Sequence, residues 1–143
     1  MTVYDNDFYQ WTQDQAALLR QGALGLLDIS HLIDEIESMG NSEKRELESR
    51  LRQLLLHLLE WQYQPSYQGQ SWLLTIKEQR LKVAHVLRDN PSLKHKLPLV
   101  AKDAYESARF AAAKETGIDL DAFPESCPWT FDQYIHDEFL PNG

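Results

Sequence analysis

The sequence predicts an all-α fold, a compact single-domain bundle of five or six helices. Apolar residues recur with the helical period, about 100° per residue, and no segment alternates apolar and polar residues over a useful length. The chain has 143 residues, 43% of them hydrophobic. Because this length and composition suit one globular core without disulfide or metal support, we expect residues 1–143 to form a single helical domain.

Two short helices are expected in the first forty residues. The first spans about residues 7–21, has Phe8 and Trp11 on its apolar face, and ends at Gly22. The second follows Asp28 as the N-cap and stops at Gly40. Its apolar stripe makes it amphipathic and consists of Ile29, Leu32, Ile33, Ile36 and Met39.

The third predicted helix is the longest clear element, and Asn41 or Ser42 can cap it. One apolar stripe consists of Leu47, Leu51, Leu54, Leu55 and Leu58. Leu56 and Leu59 lie on other faces, so the second half of the helix is apolar nearly all round. We therefore expect this helix to be central and packed on several sides.

Pro65 and Gly69 break the helical pattern before a fourth helix, which Ser71 can cap. Asn90 and Pro91 end that helix. Its inward-facing residues are predicted to be Trp72, Ile76, Val83, Val86 and Leu87.

The last third of the chain predicts one long and one short helix. Pro98 is either a kink or the first residue of a helix over about 98–116 that Gly117 closes. This helix has a narrow face of small residues, Val100, Ala104, Ala108 and Ala111. A stiff loop over 123–129 follows, and Thr130 with Gln133 forms a capping-box pattern for a last helix ending near Phe139.

The charge of −8 is unevenly distributed. Residues 1–40 carry one basic and seven acidic side chains, a net −6, whereas residues 71–97 carry six basic and two acidic ones, a net +4. Nucleic acid is therefore an unlikely partner, and the basic helix 71–89 is the one place where a polyanion can bind. The chain has no long apolar run, an acidic start and the single cysteine Cys127, so we expect a cytoplasmic protein without membrane span, signal peptide or internal disulfide.

The sequence contains no common catalytic or metal-binding motif, so we assign no catalytic residue, metal or cofactor and leave open whether it is an enzyme. The nearest approaches to a Glu-x-x-His pair are Asp28 with His31 and His57 with Glu60. Cys127 has no neighbouring cation in the sequence, which indicates an inert thiol, although a distant Arg or His can activate it in the fold.

Three polar residues lie at positions where the helical periodicity predicts apolar ones. Gln79 and Arg80 occupy the apolar side of the fourth helix, and Gln62 lies on the corresponding side of the third. A buried guanidinium requires partners, for which we expect Glu35 or Glu48. The three residues are either an interhelical network that fixes helix register or a polar pocket for a small anionic or amide ligand.

The connection over 61–72 is rich in aromatic residues: Trp61, Tyr63, Tyr67 and Trp72. Such side chains combine a large apolar area with a hydrogen-bonding tip. They either cover one end of the bundle or form an exposed platform for a protein partner or a second subunit. Base stacking is a third reading, supported by Lys77, Arg80 and Arg88 and opposed by the net charge.

The whole chain resembles a bacterial family catalogued as domain of unknown function, number twenty-nine. The residues that carry this resemblance are Tyr4-Asp5 to Phe8-Tyr9 with Trp11, Glu35-Ile36-Glu37-Ser38-Met39-Gly40, Ser42-Glu43-Lys44-Arg45, Glu60-Trp61-Gln62-Tyr63-Gln64-Pro65, Ser71-Trp72, Gln79-Arg80 and Phe123-Pro124-Glu125 to Cys127-Pro128-Trp129. The resemblance implies a helical bacterial protein and no assigned activity. Tyr67 departs from the basic residue expected before the Ser-Trp pair.

The leading hypothesis is a non-enzymatic module that binds a protein partner or itself. Its expected binding residues are Trp61, Gln62, Tyr63, Tyr67, Trp72, Gln79 and Arg80. The alternative is an enzyme or small-ligand binder with a polar interhelical site around Arg80 and a nearby Glu as acid or base. A nucleic-acid binder that uses the helix 71–89 is the third hypothesis.

Overall fold

The computed structural model describes residues 3–142, and these residues contain helices and turns but no strand. About 80% of the chain is helical, which confirms the all-α prediction and the expected number of helices. The six helices are α1 (Val3–Asn6), α2 (Phe8–Gln21), α3 (Ile29–Tyr63), α4 (Gln70–Asp89), α5 (Leu97–Thr116) and α6 (Phe131–Tyr134). No helix in this described part is long and apolar enough to cross a bilayer.

The chain divides into two compact units, an N-terminal unit that ends at Asn41 and a C-terminal unit that begins at Ser42. The N-terminal unit holds α1, α2 and the first turns of α3, and the C-terminal unit holds the other helices. Trp11 and Gln15 are the buried residues described in the N-terminal unit. The large buried apolar side chains of the C-terminal unit make up its core.

The N-terminal unit is organised by two helix caps. Asp7 accepts a hydrogen bond from the amide of Gln10 at the start of α2, and Gly22 ends that helix with φ 71°. Asp28 accepts one from the amide of His31 at the start of α3 (3.4 Å). These ends confirm the predicted first helix and the Asp28 N-cap.

The helix α3 does not stop at Gly40 but continues to Tyr63, and its total length is 35 residues. The predicted break at Gly40, with a new cap at Asn41 or Ser42, is therefore wrong. Among the described glycines only Gly22 and Gly117 have a positive φ. A glycine inside a helix costs about 1 kcal/mol relative to alanine, which is too little to separate two segments that both favour helix.

The core of the C-terminal unit surrounds the second half of α3. Its leucines are buried on every side of the helix, as predicted from their spacing. Ile76, Val83 and Leu87 of α4 are buried, whereas Trp72 and Val86 are half-buried. The small residues Val100, Ala104, Ala108 and Ala111 of α5 are also buried. Small side chains on this face permit close helix packing.

The remaining helix ends refine the sequence prediction. Gly69, rather than Ser71, is the N-cap of α4, and Asn90 ends that helix. Pro98 is the second residue of α5, so it marks the start of this helix and not a kink within it. Gly117 ends α5 with φ 73°. The capping box of Thr130 is present, but α6 ends at Tyr134 and not near Phe139.

Replacing Gly40 by alanine tests the continuity of α3. A Cβ at this exposed position meets no atom within 4 Å, so we expect G40A to raise the free energy of unfolding by about 0.5–1 kcal/mol in urea denaturation. G117A is the matched control and is expected to destabilise the protein, because its φ of 73° strains an L-residue. A destabilised G40A would instead indicate that the helix breaks at this residue.

Candidate functional site

The guanidinium of Arg80 is buried, with 3% of the residue exposed, and it binds the backbone of the C-terminal segment. Its Nε donates to the carbonyl oxygen of Tyr134 at 2.9 Å, its Nη1 donates to that of Asp137 at 3.1 Å, and its Nη2 donates to that of Phe139. The expected partners Glu35 and Glu48 are therefore wrong. The last turn of α6 and the residues after it present unpaired carbonyls, which a fork of N–H donors satisfies.

Burial lowers the pKa of Arg80, while the carboxylate of Asp137 opposes this shift. An arginine nevertheless stays charged in a protein, so three charge-assisted hydrogen bonds compensate its desolvation. A groove of about 710 Å³ lies beside it, between α4 and the residues after α6. Arg80 lines this groove, but three of its five N–H donors are already committed to backbone carbonyls.

Gln62 and Gln79 do not share hydrogen bonds with Arg80 among the described residues. Gln79 is buried, and its Oε1 has no hydrogen-bond partner in the described structure. Gln62 is half-buried, and its Oε1 is likewise buried without a partner. The burial of Gln79 and Arg80 follows from their place on the apolar face of α4, and the distant carbonyl partners of Arg80 leave no signal in the sequence.

The aromatic connection separates into a packed part and an exposed part. Trp61 and Tyr63 pack against the core, and the Tyr63 ring centroid lies 4.7 Å from that of Phe123. Tyr67 is 67% exposed, and its ring centroid lies 6.4 Å from that of the half-buried Trp72. Trp61 and Tyr63 thus belong to the packing of the C-terminal unit, while the exposed Tyr67 and the half-buried Trp72 form what we call the aromatic patch.

A carboxyl group lies in the core beside this connection. Glu60 of α3 is buried, and its Oε1 has no hydrogen-bond partner among the described residues. Burial, together with the charge and hydrogen bond of Glu115, raises the pKa of Glu60 to about 7. Glu60 therefore binds a proton at a pH where an exposed glutamate is ionised.

Cys127 lies half-buried in the loop before α6. Burial raises the pKa of this thiol, and a hydrogen bond from the backbone of Trp129 opposes the shift only in part. A thiol that stays protonated is a poor nucleophile, as the sequence indicated. No group of three or more His, Cys, Asp or Glu side chains in the described residues is placed to hold a metal ion.

In the N-terminal unit, the Asp28 carboxylate contacts the rings of Trp11 and His31. It accepts a hydrogen bond from Trp11 Nε1 at 3.0 Å and lies 2.6 Å from His31 Nδ1. The ring of Tyr4 stacks on His31 with centroids 3.9 Å apart, and the Tyr4 hydroxyl donates to Glu35. The hydrogen bond with Asp28 raises the pKa of His31, so this pair stabilises the cap of α3 as well as the contact with α2.

The first turns of α3 carry a row of apolar side chains that are exposed on the surface. Ile29, Ile33, Ile36 and Met39 are between 50 and 69% exposed, and we call them the isoleucine row. The sequence identified them as one face of an amphipathic helix but gave no sign that this face lies on the surface. An amphipathic pattern alone does not say whether its apolar side is covered.

Residues 3–140 match the model of the family described as Domain of unknown function DUF29. The chain belongs to this family. No curated protein and no solved structure matches the chain. The DUF29 description assigns no activity.

Replacing Arg80 by methionine keeps an unbranched apolar stem at this position and removes the N–H donors. The carbonyls of Tyr134, Asp137 and Phe139 then lose their partner, and we expect R80M to lower the free energy of unfolding by about 3 kcal/mol in urea. Hydrogen exchange of residues 134–140 should accelerate. K77M, an exposed change on the same helix, is the control. An R80M protein as stable as K77M would contradict the anchoring role.

Replacing Glu60 by glutamine removes the contribution of this carboxyl group to the pH dependence of the free energy of unfolding. The folded protein binds the Glu60 proton more tightly than the unfolded chain, so its contribution to stability is lost as the pH rises from about 4.5 to about 7. We expect E60Q to be more stable than the wild type at pH 8, by on the order of 1–3 kcal/mol, and to flatten the pH profile of urea unfolding. E78Q, an exposed control, should keep the wild-type profile, and an unchanged profile in E60Q would refute the assignment.

Proposed function

We propose that this chain is a non-enzymatic protein-interaction module and that the isoleucine row of α3 is its main docking surface. The observation that carries the proposal is the exposure of four large apolar side chains on consecutive turns of one helix. Ile29, Ile33 and Ile36 recur at the spacing of a single helical face. Apolar side chains exposed in a contiguous row are typical of surfaces that bind another protein.

The distribution of exposed apolar side chains supports this assignment. Of the fifteen large apolar side chains that are exposed among the described residues, ten belong to the N-terminal unit. Leu24 and Leu26, in the turn that precedes α3, are among them. A unit that buries so little apolar surface gains little stability from its own core. A docked partner would supply the missing burial.

The charge around the row favours a partner helix with an apolar face and basic edges. Residues 1–40 carry a net charge of −6, and the exposed acids Asp34 and Glu37 lie on the same turns as the row. A symmetric pairing with a second copy would bring two such acidic surfaces together. Opposite charges at the edge of an apolar groove accelerate and select the correct partner.

The aromatic patch of Tyr67 and Trp72 is proposed as a second, smaller contact surface in the C-terminal unit. Tyrosine and tryptophan are enriched in binding surfaces because they offer apolar area and a polar tip. We also propose that the protein functions in the bacterial cytoplasm. The single Cys127 and the resemblance to a bacterial family support that setting.

A synthetic two-heptad peptide of leucine and lysine tests the docking surface. Its apolar face and basic edges match the proposed partner, so we expect saturable binding by fluorescence anisotropy. The I33Q/I36Q variant should weaken this binding at least about tenfold, since it removes two central apolar contacts. L99Q, an equally exposed change in α5, is the matched control and should bind as the wild type does.

Two further measurements separate the alternatives. A leucine–glutamate peptide of the same length should bind more weakly than the leucine–lysine peptide, because the row is flanked by acids. Equal binding of I33Q/I36Q and wild type would exclude the row. A dimer in light scattering that I33Q/I36Q dissociates would show that a second copy is the partner, contrary to the proposal.

A further inference from the structure

The C-terminal unit contains a cavity that shares no residue with the isoleucine row. A cavity of about 490 Å³ lies between the first half of α5 and the segment from Glu125 to Tyr134. Its walls are mostly apolar and include Ala101 of α5 and the aromatic rings of Trp129 and Phe131. A cavity of this size and lining is in the range of small-molecule sites.

The two tyrosine hydroxyl groups at this cavity differ in their hydrogen bonds. The Tyr105 hydroxyl donates to the carbonyl of Pro124 at 2.6 Å and so holds the loop in place. Tyr134 also lines the cavity and is 2% exposed, but its hydroxyl has no hydrogen-bond partner among the described residues. Burial raises the pKa of Tyr134, so the group is a neutral O–H donor. A buried donor without an acceptor is rare in native proteins.

The charges around the cavity decide the kind of ligand. Lys94 and Lys102 are balanced there by Glu106 and Glu125, and all four side chains belong to exposed residues. The cavity therefore gives no net preference for an anion or a cation. A charged group placed deep among the aromatic rings would have no countercharge, which makes its desolvation costly. A neutral acceptor avoids that cost.

We infer that this cavity is a binding site for a small, flat, neutral ligand, an aromatic ring that carries one hydrogen-bond acceptor such as a carbonyl oxygen. The ring lies against Trp129 and Phe131, and the acceptor receives the hydrogen bond from the Tyr134 hydroxyl. Aromatic side chains favour stacked or edge-to-face contacts with such rings. The site is independent of the isoleucine row, since none of its residues belongs to the N-terminal unit.

Two nearly isosteric probes test the inference. Acetophenone has a carbonyl oxygen where α-methylstyrene has a methylene group. In amide and indole NMR spectra of the full chain, both should shift signals of Ala101 and Trp129, and acetophenone should bind more tightly. Y134F should weaken acetophenone about fivefold or more, the value of one hydrogen bond, and should leave α-methylstyrene unchanged.

Blocking variants complete the test. A101F fills the cavity and should abolish binding of both probes, whereas A84F, beside the groove that Arg80 lines, should leave it unchanged. If A101F does not fold, the probe comparison in Y134F still decides the outcome. The inference is overturned if neither probe shifts these signals, or if Y134F binds acetophenone as tightly as the wild type does.

Discussion

The leucine-rich second half of α3 is the constraint on which the C-terminal unit depends. Its leucines are buried on all faces of the helix, so packing against one side of the helix alone cannot bury them. Residues of α4 and α5 join them in one core, and the small residues of α5 permit a close approach. The residues after α6 form no long helix. Hydrogen bonds from Arg80 to carbonyl oxygens at the end of α6 and beyond it hold this segment against α4. Core packing and one buried cation therefore act together.

The two units differ in how much apolar surface they bury, and this difference suggests how the protein works. The C-terminal unit has a continuous core, whereas the N-terminal unit relies on Trp11, Gln15 and the hydrogen bonds of Asp28. Exposed side chains such as Ile33 and Ile36 lower solubility unless something covers them. The proposed docking role assigns partner recognition to the N-terminal unit, whose apolar side chains are incompletely buried.

Much of the fold could be predicted from local signals, because caps and helical periodicity are encoded by neighbouring residues. Asp28, Gly117 and the Thr130 capping box mark helix ends correctly. Gly40 does not end a helix, because a glycine stops a helix only where the backbone turns to positive φ, which depends on the following residues. The Arg80 carbonyl partners lie more than fifty residues away and have no side-chain signature. The surface exposure of the isoleucine row likewise depends on tertiary packing, as does the lack of a hydrogen-bond partner for the Tyr134 hydroxyl within residues 3–142.

Hydrogen exchange along α3 tests the central claim most directly, since this one helix contains both the buried leucines and the isoleucine row. In the free protein, amides of residues 47–60 should exchange only by global unfolding, and those of residues 29–39 much faster by local opening. The leucine–lysine peptide should slow exchange at 29–39 and leave 47–60 unchanged. Equal protection along α3 in the free protein, or no slowing with peptide, would contradict the account.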